Sequence, residues 1–226
     1  MRNVYLTASV RTPIGRFGGT LASCTAADLG VAVAKASIGR AGLRPDRIQQ
    51  SIWGCVRQAQ DLAKLQPVFA EDGSVTAGNS SGITDGAAAV IVMSEEALKQ
   101  SGAEAQAWIV DYEVAGVAPE IMGIGPVPAI RSLLARQGFG LSEVELIELN
   151  EAFAAQVIAC DRELSFDSHG LNVNGGAIAL GHPIGCTGVR ITTTLVHEMR
   201  RRSAKFGLST LCVSGGMGIA LLLERP

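Results

Sequence analysis

The sequence has no strong excess of either charge and no long hydrophobic run. Nineteen basic and 21 acidic side chains give a formal net charge of −2. The one dense basic run, 200–205, follows a helical pattern, where it complements the helix dipole. No apolar stretch reaches the roughly 18 residues of a membrane-spanning helix, and no signal-peptide cleavage site follows the first residues. We therefore expect a cytoplasmic protein without a nucleic-acid or membrane partner.

Paired cysteine motifs and metal-ligand spacings are also missing. The five cysteines are odd in number, include no CxxC pair and have no His/Cys ligand spacing. An odd set of this kind argues against a disulfide framework or a zinc site, and favours buried free thiols or catalytic chemistry. We expect no metal. Only three histidines occur, and His182 lies in a stretch rich in glycine, 175–190.

What is present is an alternation of strand-like and helix-like segments. The chain has 226 residues, 47% of them hydrophobic, which is enough for a substantial core. Thr25 and Asp28 predict a capped helix start, and "STLCVSGGMGIALLLE" predicts a terminal hairpin. The alternation indicates an α/β fold with helical layers on a buried sheet. We divide the chain into 1–98, in which the alternation is incomplete, and 99–226, in which it is complete.

Three residues that follow strand-like or glycine-rich segments are candidates for chemistry. Asn150 ends a strand in "ELNEAFA" where Glu151 begins a helix, His182 lies among glycines, and Cys212 precedes a glycine turn. Ligands of open α/β sheets collect at the carboxyl ends of strands. The three side chains together predict an acid/base site. Each has an alternative: a helix N-cap for Asn150, a structural turn for His182 and a buried apolar role for Cys212.

Six ordered segments resemble the thiolases, a family that includes acetyl-CoA acetyltransferases and 3-ketoacyl-CoA thiolases. They are "SVRTPIGRFGGTL", "DGSVTAGNSSGITDGAAA", "GVAPEIMGIGPVPAI", "NEAFA", "NVNGGAIALGHPIGCTG" and "CVSGGMG". The resemblance covers nearly the whole chain. It implies a layered αβαβα sandwich of two similar halves, and reversible Claisen condensation of acyl-CoA, or its thiolytic reverse, through an acyl-cysteine. No cofactor is implied beyond the CoA thioester substrates.

The resemblance also implies a role for individual residues. His182 would be the base that activates a nucleophilic thiol, and Cys212 would remove a proton from the carbon beside a thioester. Asn150 would hold a water that forms an oxyanion hole with His182, and the turn at Ser214 and Gly215 would supply backbone N–H groups to a second one. Three further residues would line the CoA site: Ser81, Ala77 and Phe153. A turn role for Ser81 and a core role for Phe153 are the alternatives.

Two departures from the family pattern bear on activity. Ser214 replaces a glycine of the usual Cys-x-Gly-Gly-Gly turn, which would strain the backbone if its φ were positive. The Cys-Gly-Ser-Gly-like segment that carries the nucleophile is absent, and Cys55 does not match it. "GCVRQAQ" runs directly into "DLAKLQPVF" near residues 60–61. We expect that two pieces of a longer chain meet there, with a true deletion as the alternative.

Other functions compete with a thiolase reaction. A scaffold without the nucleophile would still dimerise or bind CoA. A papain-like Cys-His-Asn hydrolase requires an asparagine after the histidine, whereas Asn150 precedes His182. The resemblance implies a homodimer or homotetramer.

Overall fold

The computed structural model describes residues 3–16, 19–49, 75 and 79–226. Ala77, Cys55 and the junction near 60–61 lie outside these ranges, so the expectations attached to them stay predictions.

Strands and helices alternate along the described chain as expected. The strands are β1 (Val4–Arg11), β2 (Gly15–Arg16), β3 (Thr84–Asp85), β4 (Ala88–Ser94), β5 (Ala107–Gly116), β6 (Leu146–Leu149), β7 (Phe206–Val213) and β8 (Met217–Glu224). The helices are α1 (Ala26–Arg40), α2 (Glu95–Ser101), α3 (Pro126–Gln137), α4 (Ala154–Leu164), α5 (Ala177–Leu180) and α6 (Thr187–Arg202). Short 3-10 helices span Pro45–Arg47, Pro119–Ile124 and Leu141–Glu143. The predicted α/β class is confirmed.

Six strands form one mixed sheet in the order β4-β1-β5-β8-β7-β6. β6 and β7 are parallel, and the other neighbours are antiparallel. The predicted terminal hairpin is confirmed, because β7 and β8 pair from Phe206↔Glu224 to Val213↔Met217. Strands from both sides of residue 99 therefore lie in the same sheet. The small β2–β3 pair stands apart from it.

Helices cover both faces of the sheet and bury separate apolar clusters. On one face Ile130 and Leu133 of α3 pack against Leu208, Ala220 and Leu222. The other face carries α6, whose apolar side chains pack with residues of β1, β6 and β8: Leu195, Val196 and Met199 with Leu6, Leu146 and Leu223. α6 also buries polar residues, namely Thr187, Arg190, Thr192, Thr193 and Glu198. A helix buried on several sides is typical of an inner layer.

The observed helix ends agree with those predicted from local sequence patterns, except that no helix begins at Glu151. Thr25 and Asp28 form the predicted capping box of α1, and Arg200 to Arg202 occupy the last turn of α6. The expectation that Glu151 begins a helix was wrong: α4 begins at Ala154 and Phe153 occupies its N-cap. Residues 150–153 are instead a connection from β6 to α4. The reason is that Asn150 and Glu151 use their side chains for contacts with other loops, described below.

Two structural features are absent from the described part of the chain. None of its helices has the length and apolar character needed to cross a membrane. The same residues contain no group of three or more His, Cys, Asp or Glu side chains placed to hold a metal ion.

Candidate active site

Asn150 lies at the carboxyl end of β6, where its backbone continues the sheet. Its N–H donates to the carbonyl of Thr210 in β7 (3.0 Å). The side chain is 1% exposed and caps no helix, so the N-cap alternative does not apply. Instead Nδ2 of Asn150 lies 3.4 Å from Nε2 of His182, 32 residues further along the chain. The structure thus brings together two of the three predicted residues.

The hydrogen bonds of His182 define its tautomer. Nδ1 lies 2.7 Å from Oγ1 of Thr187, and the same hydroxyl donates to the carbonyl of Pro183 (3.0 Å). A threonine hydroxyl has a single proton, so Nδ1–H is the donor to Thr187. Nε2 then carries the lone pair and accepts from the Asn150 amide. His182 therefore presents its basic nitrogen on the side of Asn150.

Burial keeps the imidazole of His182 neutral. Desolvation is the main cause that lowers the pKa of His182 to about 4, and the positive charge of Arg190 lowers it further. The neutral form therefore dominates at pH 7. A neutral imidazole with a free Nε2 is the form that can take a proton from a thiol.

Gly181, the residue before His182, has a backbone conformation and a close packing contact that both require glycine. Gly181 adopts φ 104° and ψ 162°, a region that is essentially restricted to glycine. A Cβ at this position would lie 2.3 Å from Cγ2 of Thr84. The backbone N–H of His182 donates to the carbonyl of Gly82 (3.2 Å). The glycine allows the close approach of the two segments that fixes the backbone beside the imidazole.

Cys212 lies on β7, two residues beyond the Thr210 carbonyl that binds Asn150. It pairs with Gly218 of β8 and is 8% exposed. Burial raises the pKa of the Cys212 thiol, so the thiol form dominates at neutral pH. Cys212 is thus on the strand adjacent to Asn150, but none of the described contacts joins its sulfur to His182.

The turn after Cys212 accommodates the unusual serine. Ser214 is exposed and is not among the non-glycine residues with positive φ. The left-handed positions are the next two, Gly215 (φ 88°) and Gly216 (φ 89°). The backbone strain expected for a positive φ at Ser214 does not arise. A role for the 214–215 amides in an oxyanion hole stays a prediction.

Two of the predicted CoA-binding residues flank the Asn150 loop. Ser80 forms a β-bridge with Phe153, and the N–H of Ser81 donates to the carbonyl of Ala152 (3.0 Å). The same segment reaches His182 through Gly82. A cleft of about 470 Å³ adjoins this point, and its lining is mainly apolar or glycine: Ile14, Gly15, Gly19, Thr20, Gly82, Ile83, Thr84, Ile178, Ala179, Leu180 and Gly181.

Two buried ionisable residues were not foreseen from the sequence, and the charge of one of them, Arg190, acts on His182. Glu148 is 3% exposed and Arg190 is 2% exposed. Desolvation raises the pKa of Glu148 to about 8, with smaller upward contributions from Glu151 and Glu198 and an opposing one from Arg190. Nε of Arg190 has no hydrogen-bond partner among the described residues. Glu148 is therefore mainly protonated at pH 7.

Thr187 is a third residue that sequence reasoning missed. It is the first residue of α6. At this position a sequence indicates a backbone N–H without an intrahelical partner, and does not indicate a side-chain contact to a catalytic residue. Only its position five residues after His182, past a proline, could have indicated that it reaches the ring.

Family models match both parts of the chain. The description "Thiolase, C-terminal domain" matches residues 103–225. The description "Thiolase, N-terminal domain" matches residues 4–61 and, separately, 57–96. The chain belongs to the thiolase family. The two N-terminal matches of this thiolase meet near the junction at 60–61.

Individual relatives agree with the family models. The acetyl-CoA acetyltransferase of Chromobacterium violaceum is 56% identical over 168 residues, which are 74% of this chain and 43% of that protein. The human mitochondrial 3-ketoacyl-CoA thiolase is 53% identical over 165 residues, 73% of this chain and 42% of that protein. This thiolase therefore matches less than half the length of these relatives.

Solved structures show the same fold. The crystal structure of human mitochondrial 3-ketoacyl-CoA thiolase superposes with a TM-score of 0.88 at 28% identity, over 99% of this chain and 99% of that chain. Its complex with CoA superposes with a TM-score of 0.89 at 28% identity, over 100% and 98% of the two chains. The superposition runs along the whole of both chains, whereas the sequence match is local. The predicted thiolase fold is confirmed.

Proposed function

We propose that this thiolase is an acyl-CoA acyltransferase that catalyses reversible Claisen condensation of acetyl-CoA, or thiolysis of 3-ketoacyl-CoA. The observation that carries the proposal is the pair of Asn150 and His182, 3.4 Å apart, with Nδ1 of the imidazole held by Thr187. Relatives bearing both activity names support the same reaction class.

In this proposal His182 and Cys212 have complementary roles in proton transfer. The thiol of Cys212 transfers its proton to a base, and the thiolate then removes a proton from the carbon beside the thioester. The free Nε2 of His182 is the base that the tautomer provides. After the transfer, Nε2–H can donate to the enolate oxygen that develops on the substrate. One nitrogen thus serves as a base first and as an oxyanion donor afterwards.

Asn150 completes the oxyanion site in this proposal. Its Oδ1 is buried and has no hydrogen-bond partner in the described part of the chain, while Nδ2 faces His182. A buried carbonyl oxygen of this kind is suited to hold a water by accepting a hydrogen bond from the water O–H. The arrangement supports the expected water-mediated contact to the thioester oxygen.

CoA is the proposed ligand, and the cleft supports it. Ser81 and Phe153 flank the Asn150 loop, and the mainly apolar cleft beside Gly181 suits a pantetheine or acyl chain. The human relative with a TM-score of 0.89 was crystallised in complex with CoA. Cytoplasmic location, a homodimeric or homotetrameric state and the absence of a cofactor are parts of the same proposal.

The absent nucleophile favours one competing function. This sequence contains no Cys-Gly-Ser-Gly-like segment, so the acyltransferase proposal requires that the longer polypeptide supplies the nucleophilic cysteine between the two pieces that we expect to meet near 60–61. An inactive thiolase-like scaffold that binds CoA is therefore the second candidate.

Acetoacetyl-CoA thiolysis, measured together with intact mass, separates the two candidates. The matched variants are Cys212→Ser and Cys24→Ser, because Cys24 is exposed and Cys212 is buried at the site. Turnover that survives Cys24→Ser and is lost in Cys212→Ser supports the acyltransferase. A mass near 23.5 kDa with no turnover, but with saturable CoA binding, supports the scaffold and refutes the acyltransferase.

A further inference from the structure

The carboxylate of Glu151 joins the loop that carries Asn150 to the segment that carries His182. Its Oε2 accepts the backbone N–H of Ile178 (3.1 Å), four residues before His182. Its Oε1 accepts from Nδ2 of Asn172 (3.0 Å). Hydrogen bonds to a carboxylate are among the stronger ones in proteins. Glu151 therefore connects three segments that are separated in sequence.

Asn172 extends this connection to the residue before Asn150. Its Oδ1 accepts the N–H of Leu149 (2.9 Å), and its Nδ2 also donates to the carbonyl of Leu149 (2.9 Å). Asn172 has φ 46°, a left-handed conformation that asparagine tolerates better than most residues. The side chain thus holds both backbone groups at the end of β6.

Gly176 shows how closely the carboxylate is packed. A Cβ at Gly176 would lie 1.8 Å from the carboxyl carbon of Glu151. Only a residue without a side chain lets the His182 segment approach the carboxylate this closely. Glu151, Asn172 and Gly176 are hereafter called the loop clamp.

We propose that Glu151 and Asn172 are positioning residues that set the contact between Asn150 and His182. The inference rests on the proposed function, since it concerns how that site is assembled. At 3.4 Å the Asn150–His182 contact is at the long limit of a hydrogen bond, so a small separation of the two loops breaks it. The loop clamp is the set of contacts that opposes this separation.

Nitrogen NMR of the histidine side chains tests the proposal without turnover. The chain has three histidines, so His182→Asn identifies the His182 signals. The test variant is Glu151→Gln, whose amide offers one acceptor where two are used. The matched control is Glu163→Gln, because the Glu163 side chain is 51% exposed and pairs with Arg131 on the surface.

The two variants should differ in two signals. In Glu151→Gln, the 15N shift of His182 Nε2 should move because the Asn150 donor is lost, and the Ile178 amide should exchange roughly tenfold to a hundredfold faster. Glu163→Gln should leave both unchanged. A folded Glu151→Gln protein with wild-type His182 and Ile178 signals would overturn the proposal.

A measurement on the unmodified protein covers the case in which Glu151→Gln does not fold. The Ile178 amide should then be protected from exchange by at least roughly tenfold relative to the amides of exposed turns, because it donates to the carboxylate. Unprotected exchange at Ile178 would refute the loop clamp. If these signals behave as expected and thiolysis is absent, the clamp stands and the proposed function fails, so the two failures are distinguishable.

Discussion

Replacement of Gly181 by alanine tests how the segment before His182 is held. The backbone of Gly181 lies in a region that costs a non-glycine residue about 1–3 kcal/mol. The new Cβ would also meet Cγ2 of Thr84 at 2.3 Å and its Oγ1 at 2.6 Å, and overpacking of this kind costs about 1–3 kcal/mol. The free energy of unfolding of Gly181→Ala should therefore fall by about 2–6 kcal/mol.

Gly102→Ala is the matched control for this experiment. Gly102 also has a positive φ of 66°, but a Cβ there would meet nothing within 4 Å. Its cost should be limited to the left-handed backbone, about 1–2 kcal/mol. Urea unfolding monitored by circular dichroism measures the free energy of unfolding of both variants under the same conditions.

A double variant separates the two costs at Gly181. Thr84→Ala removes the two closest side-chain atoms and leaves Cβ, which the new Cβ would meet at 2.9 Å. In the Thr84→Ala background, Gly181→Ala should therefore lose the backbone contribution and only a smaller part of the packing contribution. The coupling free energy between the two sites should be about 1–3 kcal/mol. Additive effects, or equal losses in Gly181→Ala and Gly102→Ala, would refute the close packing of this segment against Thr84.

Three further predictions concern the buried groups of the site. The pKa of Glu148 is raised to about 8, so the folded protein holds a proton that the unfolded chain releases above its ordinary pKa near 4.3. The free energy of unfolding should therefore fall as pH rises from about 5 to 8, by up to about 1.4 kcal/mol per pH unit. Urea unfolding of Glu148→Gln should lack this pH dependence, and an unchanged dependence would contradict the raised pKa of Glu148. Thr187→Val should lower the free energy of unfolding by about 1–3 kcal/mol and change the His182 tautomer seen by 15N NMR, because Nδ1–H loses its acceptor. Thr187→Ser should keep the stability and the tautomer of the unmodified protein. Identical behaviour of the two variants would exclude the hydrogen bond between His182 Nδ1 and Thr187 Oγ1. Because burial lowers the pKa of His182 to about 4 and raises the pKa of Cys212, the neutral imidazole and the protonated thiol dominate between about pH 6 and 8. A reaction in which His182 takes the proton of Cys212 should therefore have a rate nearly independent of pH in this range, and a rate that rises about tenfold per pH unit would contradict His182 as the base.

The elements that the sequence predicted well are those encoded by local patterns. The hairpin of β7 and β8 follows from two apolar runs around a glycine turn, and the start of α1 follows from the Thr25–Asp28 spacing. Such features depend on residues a few positions apart, so the sequence carries their whole cause. The family motifs likewise pointed to Asn150 and His182.

The parts that were missed depend on contacts between distant segments. Glu151 looked like the first residue of a helix, because a local pattern cannot show that its carboxylate binds Ile178 and Asn172. The proton on Nδ1 of His182 is fixed by Thr187, and the burial of Glu148 depends on how α6 crosses the sheet. These properties arise only when strand order and loop packing are known.

Exchange of the methyl protons of acetyl-CoA with deuterium from D2O tests the central claim most directly. The step needs the base and the oxyanion donors but no acyl-cysteine, so it probes Asn150, His182 and Cys212 even without the nucleophile of the family. Proton NMR should show exchange catalysed by the unmodified protein and by Cys24→Ser. Loss of one oxyanion donor in Asn150→Ala should slow it by about a hundredfold to a thousandfold, and Cys212→Ser should abolish it. Exchange that is absent from the unmodified protein, or that survives Cys212→Ser unchanged, would contradict the account.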